Sequence, residues 1–144
     1  YQWQQALSLL NEMCEARLVP DVISCSAGIS ACAKGGQWAL ALSLLGEMRE
    51  AKLEPDVISF NVGVSACEKG GQWQHALSLL RELSNTELEA DVISYSAGIS
   101  ACEKCEQWQL ALLLFAEMRG AKVEANAISC NAGISACEKG GNWQ

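Results

Sequence analysis

The chain has 144 residues, half of them apolar, with 17 acidic against 10 basic side chains and a net charge of −7. That apolar content allows a buried core and argues against disorder, while the longest apolar run, 110–116, falls far short of the roughly 20 residues that span a bilayer. The acid excess weighs against a nucleic-acid binder that relies on phosphate neutralisation alone.

One phrase organises everything else. "SACAKGGQW" at 30–38 returns as "SACEKGGQW" (65–73), "SACEKCEQW" (100–108) and "SACEKGGNW" (135–143). The period is 35 residues, and Trp3, Trp38, Trp73, Trp108 and Trp143 all keep it. Such a period signals stacked supersecondary units, none of which can bury its apolar face alone.

In chain order, residues 1–21 read as a partial unit holding only a second helix. Complete units follow at 22–56, 57–91 and 92–126, and 127–144 holds a first helix and the start of a second. The chain begins and ends in mid-unit, so a longer array is expected.

Within a unit, the first helix starts after Asp21, Asp56, Asp91 or Asn126, each able to cap backbone N–H groups. Its segment "VISCSAGISAC" is rich in β-branched residues, but Val22, Cys25, Ile29 and Cys32 follow helical spacing better than alternation. Gly28, Gly63, Gly98 and Gly133 weaken this helix, and close approach to a neighbouring helix is the expected reason. Gly35-Gly36 and its copies then supply the turn. The second helix carries Trp38, Ala41, Leu42, Leu45 and Met48 on one face, with Glu47 and Arg49 solvated. The predicted fold is an all-α solenoid of helix–turn–helix units.

The motif's chemistry is limited. A phosphate-binding loop needs Gly-Lys-Ser/Thr after its glycines, whereas Lys69 precedes Gly70-Gly71 and Gln72-Trp73 follow. The eight cysteines include Cys32, Cys67, Cys102 and Cys137 in phase. Copies of one position sit a repeat apart, beyond the roughly 7 Å limit for a disulfide, so they read as small buried hydrophobes in a reducing compartment. Cys102-x-x-Cys105 has no second pair to complete a zinc site, so no metal or other cofactor is expected. His75 reads as a solvated side chain. No triad, metal set or carboxylate pair stands alone, which excludes an enzyme reading for this stretch.

A second stripe on the first helix, Ile23, Ser26, Ser30 and Ala33 with Lys34 at its end, is poor core and unusual surface. Its middle residue alternates through Ser26, Asn61, Ser96 and Asn131 while most neighbours stay identical. Such a row suits either an exposed face or one reading residue per unit.

With this period, "DVISYSAGISACEK" (91–104) as a first helix and "ALSLLGEM" (41–48) with "LEPD" (53–56) closing a unit, the whole chain resembles the pentatricopeptide repeat family. The resemblance implies a right-handed superhelix binding single-stranded RNA at about one base per repeat. It implies that the fifth and last residues of a unit read the base together: Ser26 with Asp56, Asn61 with Asp91, and Ser96 with Asn126, for G, U and A in 5′-to-3′ order. Asn131 would favour a pyrimidine, its partner lying past the chain, and Asp21 lacks its own partner. Ile23, Ile58, Ile93 and Ile128 would clamp bases, and Lys34, Lys69, Lys104 and Lys139 would follow the phosphates. A chloroplast or mitochondrial location is implied by the family alone.

Other roles for the same residues stand beside these. The aspartates and Asn126 can be helix caps, the isoleucines can pack between units, and the lysines can be solvated partners of helix C-termini. Glu68, Glu103 and Glu138 directly precede three of the lysines, so weak, salt-sensitive RNA binding is the expectation. The competing reading is a protein-binding scaffold within a large organellar assembly.

Overall fold

The structure, a computed structural model, describes residues 2–141. Trp143 and the expected second-helix start in 127–144 lie outside the described residues. The helices are α1 (Gln2–Glu15), α2 (Val22–Lys34), α3 (Trp38–Glu50), α4 (Val57–Lys69), α5 (Trp73–Asn85), α6 (Val92–Lys104), α7 (Trp108–Gly120) and α8 (Ala127–Lys139). No strand occurs among the described residues, and none of their helices is long and apolar enough to cross a membrane.

Helix starts are set chemically. Asp21, Asp56, Asp91 and Asn126 each accept a hydrogen bond from the backbone N–H three residues on, while holding an extended backbone themselves. This satisfies a donor that the first turn would otherwise leave without a partner. The caps are therefore real, and they hold whatever else these residues do.

The double glycine serves two separate needs. A Cβ at Gly35 would meet Trp3 Cδ1 at 2.3 Å, and one at Gly70 would meet Trp38 Cδ1 at 2.3 Å. The first glycine thus makes room for the tryptophan of the preceding unit. The second adopts a left-handed backbone, with φ of 72° at Gly36 and 67° at Gly71, where a side chain is disfavoured. In the divergent copy Glu106 takes this conformation at φ 61°, so the turn persists without glycine.

The first helices α2, α4, α6 and α8 pack successively against one another, and each second helix also touches the first helix of the next unit. The second helices make no close backbone approach to each other. A stack that is tight along its first helices and open along its second ones curves with the first helices inside. Side chains still bridge α3 and α5: Arg49 forms a two-pronged pair with Glu82 at 2.9 and 2.6 Å. His75 departs from the sequence expectation in part. It is exposed, but its ring stacks against Trp38 at 5.7 Å between centroids, because both residues lie in the first turns of neighbouring second helices.

The core repeats with the sequence. Ile29, Val64 and Ile99 are fully buried, as are Cys32, Cys67 and Cys102. Gly98 lies under Leu80 and Leu114, and Gly28 under Leu10 and Leu44. Gly28, Gly63 and Gly98 therefore admit leucines from the two flanking second helices, and Gly133 admits Phe115. Ala33 belongs to this core at 6% exposure. It was expected on the second stripe, but α4 seals that end of α2.

Candidate nucleic-acid interface

The inner helices present their fifth residues next to the caps of the following unit. Asn61 on α4 donates from Nδ2 to Asp91 Oδ1 at 3.1 Å, and Ser96 Oγ on α6 lies 3.1 Å from Asn126 Oδ1, its one proton shared with the Val92 carbonyl at 2.5 Å. Ser26 on α2 bonds to Ser59 Oγ at 2.7 Å, and Ser59 in turn donates to Asp56 Oδ1 at 2.7 Å. All three combinations singled out in the sequence are thus in contact, two directly and one through a serine. Asp21 caps α2, and Asn131 is exposed on α8.

The caps use one side-chain oxygen and leave the other atom unspent. Asp91 Oδ1 accepts from Ser94 N, Ser94 Oγ and Asn61 Nδ2, and Asp56 Oδ1 accepts from Ser59 N and Oγ. Asn126 Oδ1 accepts from Ser129 N and Ser96 Oγ. Among the described residues, Asp56 Oδ2, Asp91 Oδ2 and Asn126 Nδ2 have no protein partner, and no polar side-chain atom is buried unsatisfied. The two aspartates therefore offer an acceptor where Asn126 offers a donor. Burial works against the Asp91 carboxylate, but the hydrogen bonds from Ser94 and Asn61 prevail and hold its pKa below the usual value.

Ile23, Ile58, Ile93 and Ile128 are exposed at 79, 65, 57 and 61%. They do not pack between units. They form an apolar column one turn from the fifth residues on the inner helices.

The lysine row is uneven. Lys104 Nζ pairs with Glu68 Oε1 at 2.7 Å, and Lys139 Nζ pairs with Glu103 Oε1 at 2.7 Å. Each glutamate serves the lysine of the next unit rather than its sequence neighbour, since consecutive helical residues diverge around the axis. Lys34 and Lys69 are exposed and form no ion pair among the described residues.

Residues 8–69 and 78–140 match the pentatricopeptide repeat domain profile, and 58–85 match the single PPR repeat. The chain belongs to the pentatricopeptide repeat family. No curated protein sequence matches it. Among solved structures it is similar to the pentatricopeptide repeat protein PPR10 in complex with an 18-nt psaJ RNA element, at TM-score 0.80 and 23% identity over 96% of this chain. It spans only 20% of that protein. The PPR domain of Arabidopsis thaliana protein-only RNase P 1, in complex with tRNA, aligns at TM-score 0.88 and 13% identity, covering 97% of this chain and 74% of that one. The A. thaliana nuclear proteinaceous RNase P 2 aligns at 0.84 and 12%, covering 98% and 32%. At these identities the likeness establishes a shared fold.

One row of this PPR array was not foreseen. Ser59, Ser94 and Ser129 are fully buried, and each stands third in its helix against the cap. Ser94 Oγ lies within hydrogen-bond distance of both Asn61 Oδ1 and Asp91 Oδ1, so its one proton is shared between the two members of one pair. The signal in the sequence was the constant "Ile-Ser" after each capping residue. Burial keeps Cys67 and Cys102 as thiols, pushing both up to about 11, and Cys105 Sγ engages the Gly71 carbonyl at 3.4 Å.

Proposed function

We propose that the chain is a sequence-selective single-stranded RNA-binding PPR segment in which each cap and fifth residue read one base. The observation that carries this reading is the spare hydrogen-bonding capacity at the three pairs. Asn61 keeps a second N–H beside the Asp91 Oδ2 acceptor, a match for the carbonyl and N3–H of uracil. Ser96 keeps lone pairs beside the Asn126 Nδ2 donor, a match for the amino group and N1 of adenine. Ser26 and Asp56 Oδ2 supply acceptors for the N–H groups of guanine. The predicted order is G-U-A, with the exposed isoleucines flanking the bases. RNA complexes of similar folds, PPR10 with psaJ RNA and the RNase P 1 PPR domain with tRNA, support the choice of ligand. The reading is of binding rather than catalysis, and a role in organellar RNA processing, stability or translation follows from the family.

The test is binding to short RNAs carrying single-base changes at each of the three positions. Loss of affinity should follow the mismatched position. A scaffold role in a protein assembly would instead leave affinity indifferent to base order.

A further inference from the structure

The array shows twice how it holds an oxyanion. Glu68 Oε1 receives Ser100 Oγ at 2.8 Å and Lys104 Nζ at 2.7 Å. One unit later, Glu103 Oε1 receives Ser135 Oγ at 2.6 Å and Lys139 Nζ at 2.7 Å. In each case a serine and a lysine one turn apart on an inner helix form a fork, and the preceding unit inserts a carboxylate into it. Hydrogen bonds from Ser135 and Lys139 outweigh burial and keep the Glu103 carboxyl below its ordinary range.

The same fork exists at Ser65 and Lys69 on α4, but the preceding unit places Ala33 where the others place glutamate. Among the described residues neither Ser65 Oγ nor Lys69 Nζ makes a side-chain hydrogen bond or ion pair. Lys69 is exposed and Ser65 half-buried. Ala33 has no polar side-chain atom to satisfy them.

We infer that Ser65 and Lys69 form a phosphate anchor of this segment, taking one RNA phosphodiester oxygen in the geometry that the glutamate carboxylates occupy in the next two units. The four lysines that the family resemblance treats alike thereby divide: Lys104 and Lys139 are held by glutamates, whereas Lys69, and Lys34 with it, form no ion pair among the described residues. Lys104 and Lys139 are already neutralised, and a phosphate would have to displace a glutamate held by two charge-assisted or hydroxyl bonds. This rests on the RNA reading above and adds to it a position along the strand.

The experiment compares wild type with Ala33→Glu, Lys69→Gln, Glu68→Ala and Ala39→Glu by RNA affinity over a salt series. Each phosphate contact on a single strand contributes about 0.7 to the slope of log affinity against log salt. Ala33→Glu and Lys69→Gln should each remove about one such increment, and Glu68→Ala should add about one by freeing Ser100 and Lys104. Ala39→Glu changes net charge equally on the exposed face of α3 and should leave the slope unchanged. Equal effects of Ala33→Glu and Ala39→Glu, or no effect of Lys69→Gln, would overturn the anchor while leaving base reading intact. An RNA-free arm separates the two ideas: at low salt, Ala33→Glu should raise the melting temperature, and Lys69→Gln should cancel the gain. If that gain appears but no variant binds RNA, both the anchor and the RNA reading fall, and only the ion-pair geometry survives.

Discussion

Asn61 Nδ2 reaches Asp91 Oδ1 at 3.1 Å across 30 residues of sequence, joining the inner helix of one unit to the cap of the next. The contact makes the proposed reading pair part of the joint between repeats. Under the proposed function, changing either residue should alter RNA preference and inter-unit packing together, and the two effects have to be measured separately.

Asn61→Ser should shift preference at a single base from U toward G, since a shorter hydroxyl replaces the amide donor beside an unchanged Asp91. Affinity for RNAs altered at the other two positions should fall in parallel for both proteins. Binding titrations with each single-base variant check this.

Asp91→Asn should preserve the helix cap, because Asn126 already caps α8 in the same way. It should move the base preference from U toward C by replacing an acceptor with a donor. It should also change acid stability. A carboxyl whose folded pKa lies below its unfolded value, about 3.9, stabilises the fold above that pH and loses this contribution as pH falls through the folded pKa. The Asp91 pKa is lowered, so the variant should lose less stability than wild type between neutrality and acid, read by thermal melts below pH 4.

Ser94→Ala removes a fully buried hydroxyl whose one proton is shared between Asp91 and Asn61. Leaving those groups underpaired should cost about 1–3 kcal/mol. Selectivity at the U position should fall more than affinity for the other two bases. A loss spread equally over all three positions would mark the serine as structural only.

Two glycines make opposite predictions. Gly98→Ala would set a Cβ 2.3 Å from Leu80 Cδ1, and Leu80 is itself buried at 4%, so overpacking should destabilise by roughly 1–3 kcal/mol. At Gly46, inside α3, nothing lies within 4 Å of the added methyl. Gly46→Ala should therefore stabilise by roughly 0.5–1 kcal/mol. Denaturant unfolding of the two variants distinguishes these outcomes.

Much of this architecture is legible because the repeat multiplies weak signals. Any single "VISCSAGISAC" is ambiguous between strand and helix, but four copies behind four capping residues are not. The core at Ile29, Cys32, Leu45 and Met48 follows from helical spacing alone, whereas spacing left the isoleucines open between inter-unit packing and the exposed column they form. What sequence hides is partnership across the period. Glu68 looks like the neighbour of Lys69, yet its side chain bonds Lys104, 36 residues on. Ser59 and Ser94 look like filler inside a helix, yet their partners on the adjacent unit, Ser26 and Asn61, lie 33 residues earlier. The first glycine of each turn looks like a backbone requirement, but at Gly35 and Gly70 it is a tryptophan that needs the space. Such contacts depend on how far one unit rotates against the next, and composition and spacing do not encode that angle.

The central claim, that neighbouring units jointly read one base each, is tested most directly with short single-stranded RNAs containing G-U-A in order and the same bases scrambled, at two salt concentrations. The ordered RNA should bind more tightly at both, with the difference surviving as salt weakens overall affinity. Equal binding of ordered and scrambled RNAs at both salts would contradict it.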